Sequence, residues 1–190
     1  VVASQFSELK NNYKNIKHIE VDFVEGDSSN KKNVGWRNAC SNIVAFLDDD
    51  VIVDRNWLKN IVLPFSDSRV GLVSGPALYP SDVGFLGRLH AEALSSLAAG
   101  HVAGRYSIKG KRTSYPVKWS RLIGCNMAYR KSVLDDIGGF NPKFWPGEEM
   151  LAAFLATSKG NILIFQENAI VYHYPRSTIA GFMKQMYGYG

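Results

Sequence analysis

Cysteine is scarce in this chain. Its 190 residues carry only two, Cys40 and Cys125, and nothing about their placement resembles metal-ligand spacing. A cysteine-built metal site is excluded, and reduced, partly buried thiols in a cytosolic setting are expected. Long apolar runs are missing as well. The most tempting stretch, residues 93–104, is too short and too rich in Ser, Gly and His to cross a bilayer. No secretory or lipidation motif is legible, and there is no internal repeat and no linker, so a single domain is expected. Acidic residues are in deficit, 17 against 22 Lys and Arg, for a net charge of +5 and a pI near 9.2. That balance favours anionic partners. The basic residues are scattered apart from Lys31-Lys32 and Lys109 to Arg112. They form neither a recognition helix nor an aromatic-studded surface, so nucleic acid is not an expected partner.

What is present is ordinary globular material, 46% hydrophobic and 12% aromatic, in a chain long enough for one well-packed core. Helical spacing of Val2, Phe6, Leu9 and Tyr13 opens the chain, and alternation over residues 18–24 follows as a strand. After a loop at residues 26–30, a short helix over 33–41 leads into the apolar run Ile43-Val44-Ala45-Phe46-Leu47, which reads as a buried strand. Asp54 is placed to cap a helix over 56–65, and residues 70–74 form another strand. Residues 81–99 are the longest helical candidate, with Phe85, Leu86, Leu89, Ala93, Leu94 and Leu97 as its apolar face. Residues 101–118 lack periodicity and read as a mobile loop or a lid. Strand character returns over 122–129, then a helix over 131–137 closed by Gly138-Gly139. A helix over 148–158, strands over 162–165 and 169–172, and a last amphipathic helix capped by Ser177 complete the pattern. Alternation of strand and helix predicts an α/β layered fold with a largely parallel sheet.

Five groups carry candidate chemistry. Asp48-Asp49-Asp50 ends the central apolar run. Three adjacent carboxylates repel one another and call for a cation, and strand alternation would put Asp48 and Asp50 on one face. Two hard oxygen donors suit Mg²⁺ or Mn²⁺; the competing reading is a solvated acidic turn. Gly147-Glu148-Glu149 opens a helix, where dipole and free N–H groups favour the anion, so either an N-terminal cap or a general base is in view. Gly124-Cys125-Asn126 puts small and amide residues where a ligand could approach the backbone, or where a core strand simply bulges. His173 ends a strand and is either a ligand or a structural imidazole, while Arg37-Asn38 is either an anion contact or a solvated helix face.

Taken in order, these pieces resemble the family 2 glycosyltransferases. The series is Gly35-Trp36-Arg37-Asn38, Phe46-Leu47-Asp48-Asp49-Asp50 and Gly124-Cys125-Asn126-Met127-Ala128-Tyr129-Arg130. It continues with Ile137-Gly138-Gly139-Phe140, Gly147-Glu148-Glu149, Val171-Tyr172-His173 and Gln185-Met186-Tyr187-Gly188-Tyr189-Gly190. The resemblance runs from about Arg37 onward. It implies the GT-A fold, a nucleotide-diphospho-sugar transferase architecture with a Rossmann-like, mostly parallel sheet flanked by helices. It also implies that the family's first strand and nucleobase-gripping loop precede Val1, and that the chain is cut at both ends. The closing Tyr-Gly repeat resembles membrane-associated members that build exopolysaccharide or lipid-linked glycans.

The implied activity is metal-dependent, inverting transfer of a sugar from a nucleotide-diphosphate donor to a saccharide or lipid-linked acceptor. By the same resemblance Asp50, Asp48 and His173 would hold Mg²⁺ or Mn²⁺. Arg37, Asp48, Asp49, Gly124, Cys125 and Asn126 would line the donor site, with Asp49 a hydrogen-bonded neighbour. Glu149, with Glu148, would supply the catalytic carboxylate. A cytoplasmic location at a membrane face is the matching expectation. Two departures stand out: Glu149 replaces the commoner aspartate, and Leu151 and Leu155 make that helix more apolar than usual. A sugar nucleotidyltransferase and a non-catalytic nucleotide- or carbohydrate-binding module are the alternative readings of the same residues.

Overall fold

A computed structural model of the protein describes Tyr13, residues 15–22, 27–108, 110, 113–144 and 146–188. Of the predicted opening helix only Tyr13 is described, and it is not helical; the 23–24 end of the first predicted strand lies outside the described residues, and residues 18–22 are not in a strand. The first described helix, α1 (Ser28–Asn38), starts earlier than expected because Asp27 caps it, its carboxylate accepting from the Asn30 amide. Then come β1 (Ile43–Leu47), β2 (Val51–Val53), α2 (Trp57–Val62), β3 (Val70–Ser74), β4 (Ala77–Leu78) and α3 (Phe85–Ser95). The rest is β5 (Ser114–Pro116), β6 (Asn126–Arg130), α4 (Lys131–Ile137), α5 (Glu148–Ser158), β7 (Ile162–Gln166), β8 (Val171–His173) and α6 (Ile179–Gly188).

Five strands form one sheet in the order β1-β6-β3-β7-β5, and three form a second in the order β2-β8-β4. In the larger sheet β1, β3 and β7 share a direction while β6 and β5 oppose them, so only the β3–β7 pairing is parallel. The expected largely parallel sheet is therefore a mixed one. β6 inserts antiparallel between β1 and β3, and this breaks the run of parallel strands.

Alternation along β6 feeds two cores. Met127 and Tyr129 join Trp36, Phe46, Leu72, Phe140, Ala152, Ala153 and Ala156 beneath α1 and α5. Ala128 joins Trp57, Ile61, Phe65, Val73 and Val171 on the opposite face, toward α2 and the small sheet. Phe46, Tyr129 and Phe140 meet edge to face, with centroids 5.1 to 6.2 Å apart, a geometry worth about 1 kcal/mol per pair beyond burial.

Several sequence expectations change here. β1 is not buried on both faces: Val44 and Phe46 are covered while Ala45 and Leu47 are exposed, since β1 is an edge strand of the described sheet. α3 turns only Leu94 of its expected large apolar residues inward within the helix. It packs through Gly87, His90, Ala91 and Leu94, and leaves Phe85, Leu86 and Leu89 exposed. Phe182 of α6 stacks on His90 at 4.3 Å, covering that flank. Residues 97–105 form 3-10 turns and 114–116 a strand, so the stretch expected to be a mobile loop or lid is partly regular. Thr178 rather than Ser177 caps α6, its hydroxyl accepting from the Gly181 amide. Asp54 does not cap α2: Asn56 holds the cap position without a side-chain hydrogen bond, and the Asp54 carboxylate accepts from the Asn56 amide ahead of the helix. Gly138 closes α4 at φ +78°, as expected of a left-handed cap. No described helix is long and apolar enough to cross a membrane.

Candidate active site

The end of β1, the turn before β6, the start of α5 and the end of β8 converge on one cavity of about 420 Å³. Asp48, Gly124, Cys125, Glu148, Glu149 and His173 all line it, joined by Ser28, Lys32, Arg105 and Arg176.

The triple aspartate is a turn, not a strand end. β1 stops at Leu47 and β2 begins at Val51, so strict face alternation does not extend over residues 48–50. Asp48 faces the cavity instead. Burial raises its pKa, Asp50 and Asp49 add to that, and Lys32 and His173 oppose it. Asp50 is carried to a partner by sheet register: Val51 pairs with His173 across β2 and β8. This brings the Asp50 carboxylate to 3.3 Å from His173 Nε2, with the Asp50 side chain 67% exposed. Among the described residues no three His, Cys, Asp or Glu side chains close into a cage. Asp49 is exposed.

Gly124 and Cys125 occupy a tight turn closed by the Asn126 amide donating to Ile123 O at 3.2 Å, so the expected strand starts only at Asn126. A side chain at Gly124 would begin 3.4 Å from the Glu149 carboxylate carbon, an ordinary contact distance, so the carboxylate packs directly over this glycine. Cys125 is buried, and its thiol is pushed up to about 12 by burial and by Asp48, Asp50 and Glu149. Asn126 is not a donor-site residue in this structure. Its carbonyl oxygen accepts from Trp57 Nε1 at 2.9 Å, and its amide donates to Pro76 O and Ala169 O at 3.1 and 2.7 Å. Every polar atom of that buried side chain is spent on tying the two sheets together.

The two glutamates differ sharply. Gly147, at φ +114°, turns the chain into α5 and puts both in its first turn. Glu148 is buried and ion-paired, its Oε1 2.9 Å from Lys32 Nζ, and its Oε2 accepts from the Gly147 amide at 3.3 Å. Burial opposes its charge, but Lys32 and the surrounding donors outweigh burial and hold the carboxyl below its usual range. Glu149 goes the other way: burial, then the charge of Glu148, raises it. The expectation that a helix N-terminus keeps the carboxylate ionised thus holds for Glu148 and is overridden by desolvation at Glu149.

Arg37 is absent from the cavity wall; it is exposed at the end of α1 and stacks on Trp36 at 5.0 Å. Lys32, one helix turn after Ser28 and bonded to its hydroxyl at 2.7 Å, is the α1 cation that reaches the site. Sequence reading passed over it because nothing in the Lys31-Lys32 pair says which lysine faces inward. Arg105 was likewise hidden in the stretch without period. It is buried and donates to Ser120 O at 3.1 and 2.8 Å.

Comparison with known proteins agrees with this architecture. A mannosyltransferase from Pyrobaculum calidifontis, solved in complex with GDP-Man and Mn²⁺, superposes with a TM-score of 0.66 at 18% identity, over 93% of this chain and 45% of that one. GalNAc-T7, solved with UDP, GalNAc and Mn²⁺, superposes with a TM-score of 0.66 at 15% identity, over 95% of this chain and 38% of that one. These likenesses define the fold as that of the GT-A glycosyltransferases. The chain belongs to glycosyl transferase family 2, whose sequence model matches residues 2–138. That match includes the triple aspartate and stops before Glu148.

Curated relatives agree. The pre-mycofactocin glycosyltransferase of Mycobacterium tuberculosis is 29% identical over 160 residues, 84% of this chain and 32% of the relative. The O-antigen chain rhamnosyltransferase RfbN of Salmonella typhimurium is 25% identical over 167 residues, 87% of this chain and 52% of the relative. The chain therefore spans a third to about half the length of these two relatives.

Proposed function

We propose that this domain transfers a sugar from a nucleotide-diphosphate donor to a hydroxyl of a saccharide or lipid-linked acceptor, with inversion at the sugar carbon. The observation that carries the reading is the single cavity walled by Asp48 and His173 on one side and by Glu149 on another. One cavity thus holds groups suited to a diphosphate and a carboxylate suited to a proton. Relatives named as glycosyltransferases, and a fold neighbour solved with GDP-Man and Mn²⁺, support the donor class.

Asp48, Asp50 and His173 suit a divalent cation by their chemistry, two carboxylates and an imidazole: Asp48 and His173 line the cavity, and Asp50, outside its wall, reaches His173 at 3.3 Å. When bound, Mg²⁺ or Mn²⁺ would supply positive charge beside the leaving diphosphate. The residues themselves do the rest. The acceptor oxygen forms a bond to the anomeric carbon as the bond from that carbon to the diphosphate oxygen breaks. The nucleoside diphosphate leaves with the electron pair, and the acceptor proton passes to the Glu149 carboxylate. The raised pKa of Glu149 suits a group that must accept that proton. Glu149 takes the acceptor proton and does not attack the sugar carbon, so the transfer proceeds as a single displacement. Inversion follows from a single displacement. A cytoplasmic membrane face remains the proposed working place, in keeping with the net charge of +5.

The test is release of nucleoside diphosphate from a panel of nucleotide sugars with Mn²⁺, for the protein and for Asp50→Ala. Turnover that depends on Mn²⁺ and falls at least a hundredfold in the variant is the expected result, in line with the usual worth of transition-state charge stabilisation. Undiminished turnover in Asp50→Ala would overturn the metal assignment.

A further inference from the structure

The site contains two adjacent carboxylates but needs one base, and α1 supplies the group that tells them apart. We propose that Lys32 is a positioning residue: it clamps Glu148 as a fixed anion and so leaves Glu149 as the one carboxylate that takes the acceptor proton. The inference rests on the glycosyl-transfer reading above and goes beyond it, because it assigns a role to a residue on a different element from either glutamate.

The geometry is specific. Lys32 Nζ donates to Glu148 Oε1 at 2.9 Å and to Ser28 Oγ at 2.7 Å, with side-chain exposures of 14% for the lysine and 4% for the glutamate. The second Glu148 oxygen accepts from the Gly147 amide. Both oxygens of Glu148 are therefore occupied, and its charge is matched by a buried cation that cannot easily leave. Breaking such a pair strands a charge in a poorly solvated place, which is why it persists. Glu149 is arranged differently. Its carboxylate lies over Gly124, 3.4 Å from where a side chain at that position would begin, and Glu149 lines the cavity. Among the described residues, no lysine, arginine or histidine lies within ion-pair distance of it.

Adjacent carboxylates share protons unless something separates them, and then neither has a defined role. Here the separator is a cation placed one-sidedly. Glu148, kept anionic, repels charge on its neighbour and makes Glu149 the better proton acceptor. The other charged and titratable groups facing Glu149 are Arg105 from the 97–105 turns, Cys125 from the turn before β6 and Tyr129 from β6. Burial keeps the last two neutral. Arg105 favours the Glu149 anion, with less effect than Glu148 has in the opposite direction.

Two substitutions should move the site in opposite directions. Lys32→Met removes a positive charge felt by both glutamates, so the acidic limb of kcat/KM should move up by roughly one pH unit. Glu148→Gln removes the negative neighbour, so that limb should move down by a similar amount. Lys32→Arg should restore the original limb. A lysine that only props the fold would lower turnover in Lys32→Met and leave the limb where it was, which would overturn the proposal. A second readout does not need turnover: carbon-13 NMR titration of the glutamate carboxyls in the protein and in both variants. Separate titrations, with Glu148 low and Glu149 high, that shift in the stated directions support the assignment. If Lys32→Met leaves both unmoved, it fails whether or not the donor is known. If no nucleotide sugar is turned over while the titrations behave as stated, the transfer reading fails and the Lys32 pairing stands.

Discussion

At the scale of single residues, Glu149 combines a cost in stability with a gain in chemistry. Its folded pKa lies above the unfolded value, because burial and Glu148 disfavour the anion. The protonated form is thus the one the fold prefers. The associated stability is full below the unfolded carboxyl range and is lost as pH rises through the folded pKa. At pH 7.5 the ionised side chain weighs against folding, and at pH 4 it does not. Glu149→Gln keeps the shape and drops the charge, so it should raise Tm at pH 7.5 and change it little at pH 4. It should also cut turnover by about 10²- to 10⁴-fold, the usual worth of a positioned base. Paired thermal melts at the two pH values, alongside a nucleotide-release assay, check both halves. A Tm that falls at pH 7.5 would show that Glu149 is a structural carboxylate. Glu148 has the opposite sign: its depressed pKa contributes stability above the unfolded carboxyl range, lost as pH falls through the folded value.

At the scale of elements, the join between the two sheets depends on one side chain. Asn126 starts β6 in the larger sheet, and its amide bonds Pro76 O just before β4 and Ala169 O just before β8, while Trp57 of α2 donates to it. Asn126→Ala leaves Trp57 Nε1 and Ala169 O without partners, at about 1–3 kcal/mol each, and removes one of the two donors to Pro76 O, which keeps the Val171 amide. A loss of roughly 3–5 kcal/mol in urea unfolding is expected; a loss below about 1 kcal/mol would mean that water replaces the amide.

The same element shows where sequence reading succeeds and where it stops. Asp48, Glu149 and His173 could be picked out because they sit just past a strand, at the start of a helix and at the end of a strand, where chain direction changes and side chains can converge. Asn126 was equally visible but misassigned, since the sequence does not show that a second sheet lies within reach of its amide. Arg37 and Lys32 were confused for a related reason. They stand five residues apart on α1, about 140° around the helix at 100° per residue, and the helix is too polar for an apolar stripe to say which side faces inward. The α3 face was misread because Gly87 and Ala91 allow close packing, a property of shape that hydropathy does not record.

At the scale of the whole molecule, the cavity draws on nearly the full length of the described chain. Ser28 and Lys32 come from α1, Asp48 from the end of β1, Ala77 from β4, Leu94 from α3, Glu149 from α5, His173 from β8 and Gln185 from α6. A ligand that touches both sheets and four helices restrains all of them, so its binding should shift global unfolding rather than protect one segment. The size follows from linkage: a ligand at a hundredfold excess over its Kd adds about 2.7 kcal/mol. For a domain of this length that is roughly 5–10 °C in Tm.

The proposed donor site adds a sharper condition. Asp50 and His173 are expected to hold the cation, and the diphosphate is expected to complete its ligands, so each should raise the other's affinity. Thermal melts with UDP or GDP alone, Mn²⁺ alone and the two together measure this directly. The combined shift should exceed the sum of the single shifts in the protein. It should fall to that sum in Asp50→Ala, whose carboxylate at 67% exposure contributes little to packing. Additive shifts in the unaltered protein would separate the cation from the nucleotide. The carboxylate–imidazole contact of Asp50 and His173 would then only link the turn before β2 to β8, and the donor would have to be held by Lys32, Arg105 and Arg176 on the cavity wall.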